Sequence, residues 1–202
     1  MPFNQRIMAL MSAICGLVPN HAWAEEAFCN VEAVYGRAML VSELPHRLLS
    51  EGTPVAVQDR IETDGDSRVT LVCPDELRIT IGPGSEVVLT EVDSGSAGWA
   101  AILPRGIARF ARPLFGSARF EVRTPSAVAS VRSTVWIVDV ADGATAVFVE
   151  EGTVDVTAGS STVLLATGEG VDVTAESALE GIGTWSQARI DDVISRLAFP
   201  TQ

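Results

Sequence analysis

"TPSAVASVRSTVWIVDV", Thr124–Val140, is the stretch on which the reading of this chain turns. It is built almost entirely of small, β-branched and apolar residues, yet Arg132 stands in its middle between Val131 and Ser133. The run Val135–Val140 is apolar on both faces, which predicts a central strand. Beyond it, Asp142-Gly143 is the dipeptide of a two-residue hairpin turn. If Ala141 faces Ala144 across that turn, Trp136 faces Val149, Val138 faces Val147 and Ile137 faces Phe148. The same register, unless it breaks at Gly152, sets Arg132 opposite Thr153, with Glu151 and Asp155 as diagonal neighbours. A buried guanidinium without a partner is prohibitive, and these carboxylates offer one. Arg132 is therefore read as architectural rather than ligand-binding.

Working outward, period-two patterning dominates. Leu77, Ile79 and Ile81 alternate with Arg78 and Thr80; Phe120 and Val122 alternate with Arg119, Glu121 and Arg123; Val154 and Val156 alternate with Thr153, Asp155 and Thr157. Val163–Leu165 is apolar on both faces and reads as a second central strand. Asp64-Gly65, Gly82-Pro83-Gly84, Glu151-Gly152, Ala158-Gly159 and Gly168-Glu169-Gly170 punctuate these runs. Closely spaced short strands predict an all-β fold, a short-strand roll or sandwich with solenoid-like stacking. Only the tail is helical in pattern. Ile190, Val193, Ile194 and Leu197 follow helical spacing, with Ser186 as the N-cap, so one short C-terminal helix is expected to dock on the β body.

Four segments are expected: a signal peptide over 1–24, a β-rich half over 25–97, a β core over 98–175, and a linker with the amphipathic helix over 176–202. The first rests on Arg6, the apolar run Ile7–Val18 and the small residues of Ala22-Trp23-Ala24, which predict export and cleavage after Ala24. That run is too short to span a bilayer, and no transmembrane segment is expected in the mature chain. The formal net charge of −12 disfavours nucleic acid and anionic membrane surfaces as partners. In an oxidising compartment the isolated pair Cys29 and Cys73 is read as a disulfide, since no CxxC spacing supports a redox or metal pair.

Chemistry-bearing patterns are few. His46 sits beside Pro45 in an expected loop, and no nucleophile-elbow pattern surrounds any serine. No metal site and no cofactor are expected; Glu62, Asp64 and Asp66 form an acidic turn without the spacing of a calcium loop. The unusual distribution is positive: Arg105, Arg109, Arg112, Arg119 and Arg123 fall close together in an acidic chain. Arginine suits bidentate capture of carboxylate or phosphate, so these five, with Trp99, are candidate binding residues. The alternative is that they neutralise the chain's own acids on adjacent strands.

The opening stretch, followed by "TAVFVEEGTVDVT" and "VLLATGEGVDV", resembles the FecR domain of bacterial envelope proteins. Upstream, "VAVQDRIETDGDSRVTLVCPDELRITIGPGSEVVL" is similar to the first half of that domain, so the resemblance runs from about Val31 to Val173. Its arginine-threonine core falls on Arg132 and Thr134, with Trp136, Gly143 and Gly152 as further structural positions. Ser133, Ser130 and Gln58 stand where the family commonly has glycine, and "CPDE" replaces its upstream hairpin. The resemblance implies a non-enzymatic periplasmic protein that binds or signals to another envelope protein. It resembles the stand-alone version, without the membrane helix and cytoplasmic segment of the regulators. Binding of cell-wall glycan or another anionic polymer is the alternative, and a carboxylate-dependent hydrolase ranks last.

Overall fold

The computed structural model describes residues 28–41, 46–92, 98–112, 119–131 and 134–200. The expected signal segment, most of the expected break at Ser94–Gly98, Arg132 and Ser133, and the side chain of Arg119 lie outside the described residues. The first eight strands are β1 (Cys29–Tyr35), β2 (Ala38–Val41), β3 (Arg47–Leu48), β4 (Pro54–Val55), β5 (Arg60–Thr63), β6 (Arg68–Val72), β7 (Arg78–Ile81) and β8 (Glu86–Glu91). They are followed by β9 (Gly98–Ala111), β10 (Arg119–Arg123), β11 (Val128–Val131), β12 (Thr134–Ala141) and β13 (Ala144–Ala158). The last elements are β14 (Ser161–Ala166), β15 (Glu169–Val173), β16 (Leu179–Thr184) and the helix α1 (Gln187–Leu197). Among the described residues the fold is thus mostly strand with a single α-helix, the expected class.

The strands form two layers. One runs β4-β1-β6-β7-β9-β12-β13-β15-β16. The other runs β3-β2-β5-β8-β9-β10-β11-β13-β14. Two strands depart from the short-strand expectation: β9 has 14 residues and β13 has 15, and each passes from one layer into the other. Their shared pairings close β9, β10, β11, β13 and β12 into a barrel-like ring. β9 and β10 are parallel, a pairing that requires a crossover. The second half of β9, lying in the other layer, supplies much of it.

Inside the ring Phe110, Phe120 and Trp136 meet with centroid distances of 5.7, 5.2 and 5.9 Å. All three are essentially inaccessible, surrounded by Val122, Val131, Val138, Val149, Val154 and Val156. Burying each such aromatic stabilises the fold by about 2–3 kcal/mol. The disulfide Cys29–Cys73 is present and ties β1 to the turn between β6 and β7.

The Asp142-Gly143 hairpin has the expected register, from Ala141↔Ala144 to Trp136↔Val149. Positive φ at both turn residues, 51° and 79°, identifies the turn that matches the twist of the strands. Between Trp136 and Val135 the register then shifts, and Glu150 is passed over. The shift has a clear purpose. Val147 and Val149 are buried before it, Val154 and Val156 after it, so the buried parity changes from odd to even. Without the extra residue one half of β13 would turn its valines outward. The left-handed Gly152 (φ 92°) completes the irregularity, and Thr134 rather than Ser133 faces it.

Two expectations need correction. Val163–Leu165 is not central: among the described residues β14 pairs only with β13, and Leu164 is 61% exposed. Three consecutive apolar residues gave the wrong impression, because only Leu165 among them is fully buried. The linker expected at the start of the 176–202 segment also contains a strand, β16, which extends the layer beyond β15.

The tail helix forms as its pattern requires. The Ser186 hydroxyl accepts from the Arg189 N–H at 3.4 Å, and Val193 and Leu197 are buried. They pack with Trp185 on Ile107, Ile137 and Phe148, a second small core on the outer face of the first layer. Phe148 and Trp185 stack at 5.0 Å, and the Arg189 guanidinium lies 3.5 Å above the Trp185 ring. At the helix end, Arg68 Nε donates to the Arg196 carbonyl at 2.9 Å, satisfying one of the last-turn acceptors.

Candidate interaction surface

The arginines singled out in the sequence do not converge on one patch. Arg109 lies on the helix-covered layer, where it binds Glu150 through Nε at 2.6 Å and Nη2 at 3.0 Å. The residue that the strand irregularity passes over is therefore the one that receives this guanidinium. Arg112, whose side chain is only 3% exposed, binds Asp75 at 2.9 Å. Arg105 sits where β9 changes layer, bound to Glu86 at 3.3 Å and to the Gly84 carbonyl at 3.1 Å. Arg123 lies on the other layer and meets Glu121 at 3.3 Å. For these four, neutralisation of the chain's own acids describes the geometry. Trp99 is partly buried, its ring centroid 3.8 Å from that of Phe28. His46 is exposed.

Of the structural positions, Thr134 is buried and its hydroxyl donates to the Thr153 carbonyl at 2.8 Å, locking β12 to β13 where their register changes. Trp136 is the centre of the ring's aromatic cluster. Gln58 confirms the weight of the missing glycine, since its φ of 74° is left-handed. Asp75 and Glu76, in the "CPDE" turn, both have φ of 56°. There the strained turn carries the carboxylate that holds Arg112.

The helix contributes two arginines that sequence patterning missed. Arg189 binds Asp172 at 2.9 Å and Arg196 binds Asp139 at 3.0 Å, each through a second contact as well. The hydrogen bonds that the Arg196 guanidinium donates to Asp139, reinforced by that carboxylate's charge, raise the Arg196 pKa against the opposing effect of burial. Asp139 and Asp172 flank Ala146 across three strands. A cleft of about 200 Å³ opens between them, its acids already bound by α1. Helical spacing alone could reveal Arg189 and Arg196 as seven residues apart, but not the acids below them.

The second layer presents a different surface. Register places Val128, Arg123, Ile102, Val88 and Arg60 in one row on its outer face. Ile102 is 37% exposed, and no described element packs over this row. At the margin of the same layer runs the edge strand β14. Apolar residues interleaved with arginine, bordered by an exposed strand edge, make a surface suited to contact.

A two-layer β roll with internally paired charge, clamped by one C-terminal helix, is what this geometry defines. Residues 59–155 match the model of the FecR protein family, and this region, from Asp59 before β5 into β13, carries a FecR domain. The fold is also similar to two crystal structures of a candidate anti-sigma factor from Parabacteroides distasonis ATCC 8503. These are 18% and 20% identical in sequence, with a TM-score of 0.56 in each case. The likeness covers 67% of this chain and 64% and 63% of those chains. No curated protein matches the chain. No described helix is long and apolar enough to cross a membrane.

Proposed function

We propose that this chain is a non-enzymatic, periplasmic contact module that regulates by binding another protein of the cell envelope. The observation that carries the reading is the outer row Val128–Arg123–Ile102–Val88–Arg60, to which no described element is docked, while α1 occupies the other layer. The FecR domain and the likeness to candidate anti-sigma folds support a signalling output. Export is supported by the leader-like residues 1–24 and by the Cys29–Cys73 bond, which persists in an oxidising compartment. Binding of glycan or another anionic polymer finds less support, because Arg105, Arg109, Arg112 and Arg123 already have carboxylate partners.

A photo-crosslinking residue at Ile102, expressed in intact cells, tests this. The expected result is one discrete protein adduct, lost when Val88→Glu charges the row. Adducts only with cell-wall glycan, or an adduct pattern identical to that from exposed Ile194 on α1, would overturn the reading.

A further inference from the structure

We propose that the free edge of β14 is a strand-addition site for an extended segment of the partner, apolar at its centre and basic at its ends. The inference rests on the protein-contact reading above and names the chemistry that recognises the partner.

Among the described residues the edge carries no strand, and only its Ala166 end is engaged, by Glu169. β14 pairs with β13 from Ala158↔Ser161 to Thr153↔Ala166, and with no other strand among the described residues. In an antiparallel pair, alternate residues direct both backbone polar groups toward the neighbour or away from it. The Ala166 N–H points away, since it donates to Glu169 Oε2 at 2.8 Å. Thr162 and Leu164 share its parity. The close approach of the Thr157 and Thr162 hydroxyls, 3.0 Å, is that of a pair without mutual backbone hydrogen bonds. Thr162 and Leu164 therefore offer N–H and C=O outward, with Leu164 as an exposed apolar contact between them.

The other margins are blunted. β3 and β4 have two residues each. β16 carries Glu180, a register shift and left-handed Gly181. β14, "STVLLA", has neither charge nor irregularity, the features by which exposed edges ordinarily avoid pairing. Such an edge is the template for strand addition, where main-chain bonds give affinity and alternate side chains give selectivity.

Charge selects the occupant. From Ala141 to Ala178 the sequence has seven acidic residues and no basic one. Arg109 binds Glu150 and Arg189 binds Asp172. Asp155, directly across from Leu164 on β13, and Glu151 are exposed and make no ion pair among the described residues. Glu169 stands at the end of the edge. A segment with arginine or lysine flanking an apolar centre complements this field. A second copy of the chain would bring the same acids against themselves.

The test uses amide hydrogen exchange on the folded protein with the peptide acetyl-Arg-Thr-Val-Thr-Val-Thr-Arg-amide, and its glutamate-flanked counterpart as control. With the arginine peptide, exchange at Thr162 and Leu164 should slow about tenfold or more, while interior β12 amides stay unchanged. The glutamate peptide should give no slowing. Equal protection by both peptides, or none by either, overturns the proposal. Protection that rises with protein concentration alone also overturns it, in favour of self-association. Leu164→Lys supplies the variant: exposed and outside the core, it should fold normally and lose the protection. In cells, an adduct from a crosslinker at Ile102 but none at Leu164 would sink the edge assignment and leave the contact reading standing. Absence at both positions would sink both.

Discussion

Replacing both Cys29 and Cys73 with alanine should remove about 4 kcal/mol of stability without abolishing the fold. The two lie 44 residues apart, and closing a loop of that length lowers the entropy of the unfolded chain by this amount in the chain-entropy account. β1 would remain paired with β4 and β6, with Val31 in the main core, so native structure survives the loss. Against a typical stability of about 5–15 kcal/mol the change is large. Urea unfolding at equilibrium is the assay. The midpoint should fall, and the denaturant slope should rise, because an uncrosslinked chain exposes more surface on unfolding. In thermal unfolding the expected drop is about 8–16 °C for a chain of this size. Native protein unfolded with a reductant should behave like the double variant. A loss below about 1 kcal/mol with an unchanged slope would refute the argument, since the link would then not restrict the unfolded ensemble.

Gln58→Gly should stabilise the protein by about 0.5–1 kcal/mol, read from its thermal midpoint, by relieving a left-handed side-chain-bearing backbone at φ 74°. Its exposed bond to Thr90, 3.2 Å, is the small loss on the other side. Val193→Ala should destabilise by about 2 kcal/mol and red-shift Trp185 emission, because the residue anchors α1 to Phe148 and Ile137. Arg196 has a raised pKa, so its stabilising charge is present below the unfolded value and lost only as pH rises through the folded one. Both lie in the arginine range, so the difference in stability between native protein and Arg196→Gln should not change between about pH 7 and pH 10. A difference that disappears by pH 9 would show that another group controls the contact.

What was legible in the sequence were features encoded within a few residues. Asp142-Gly143 announces its own turn and thereby the register of Trp136 against Val149. Ser186 with Ile190, Val193 and Leu197 announces the helix. The bend of β13 was not legible beyond the glycine at 152, because its cause is the need to face one interior from two layers. The arginine pairings were hidden for a different reason. Glu150 and Asp75 are 41 and 37 residues from Arg109 and Arg112, so only the closed ring and the strained turn bring them together. The edge position of β14 was obscured by composition, since an exposed Leu164 is written with the same letter as a buried one. That confusion is informative in itself, because an uncharged edge is the feature on which the proposed strand addition rests.

The sharing of β9 and β13 has a mechanical result. Each is one backbone serving as a slat in both faces of the roll, so neither face can peel away while the other stays intact. Opening at Val154 must drag on Val147 through continuous peptide, and opening at Ala101 must do the same to Ala108. The molecule should therefore yield under load as one block, transmitting a pull on either end of β13 across its full thickness.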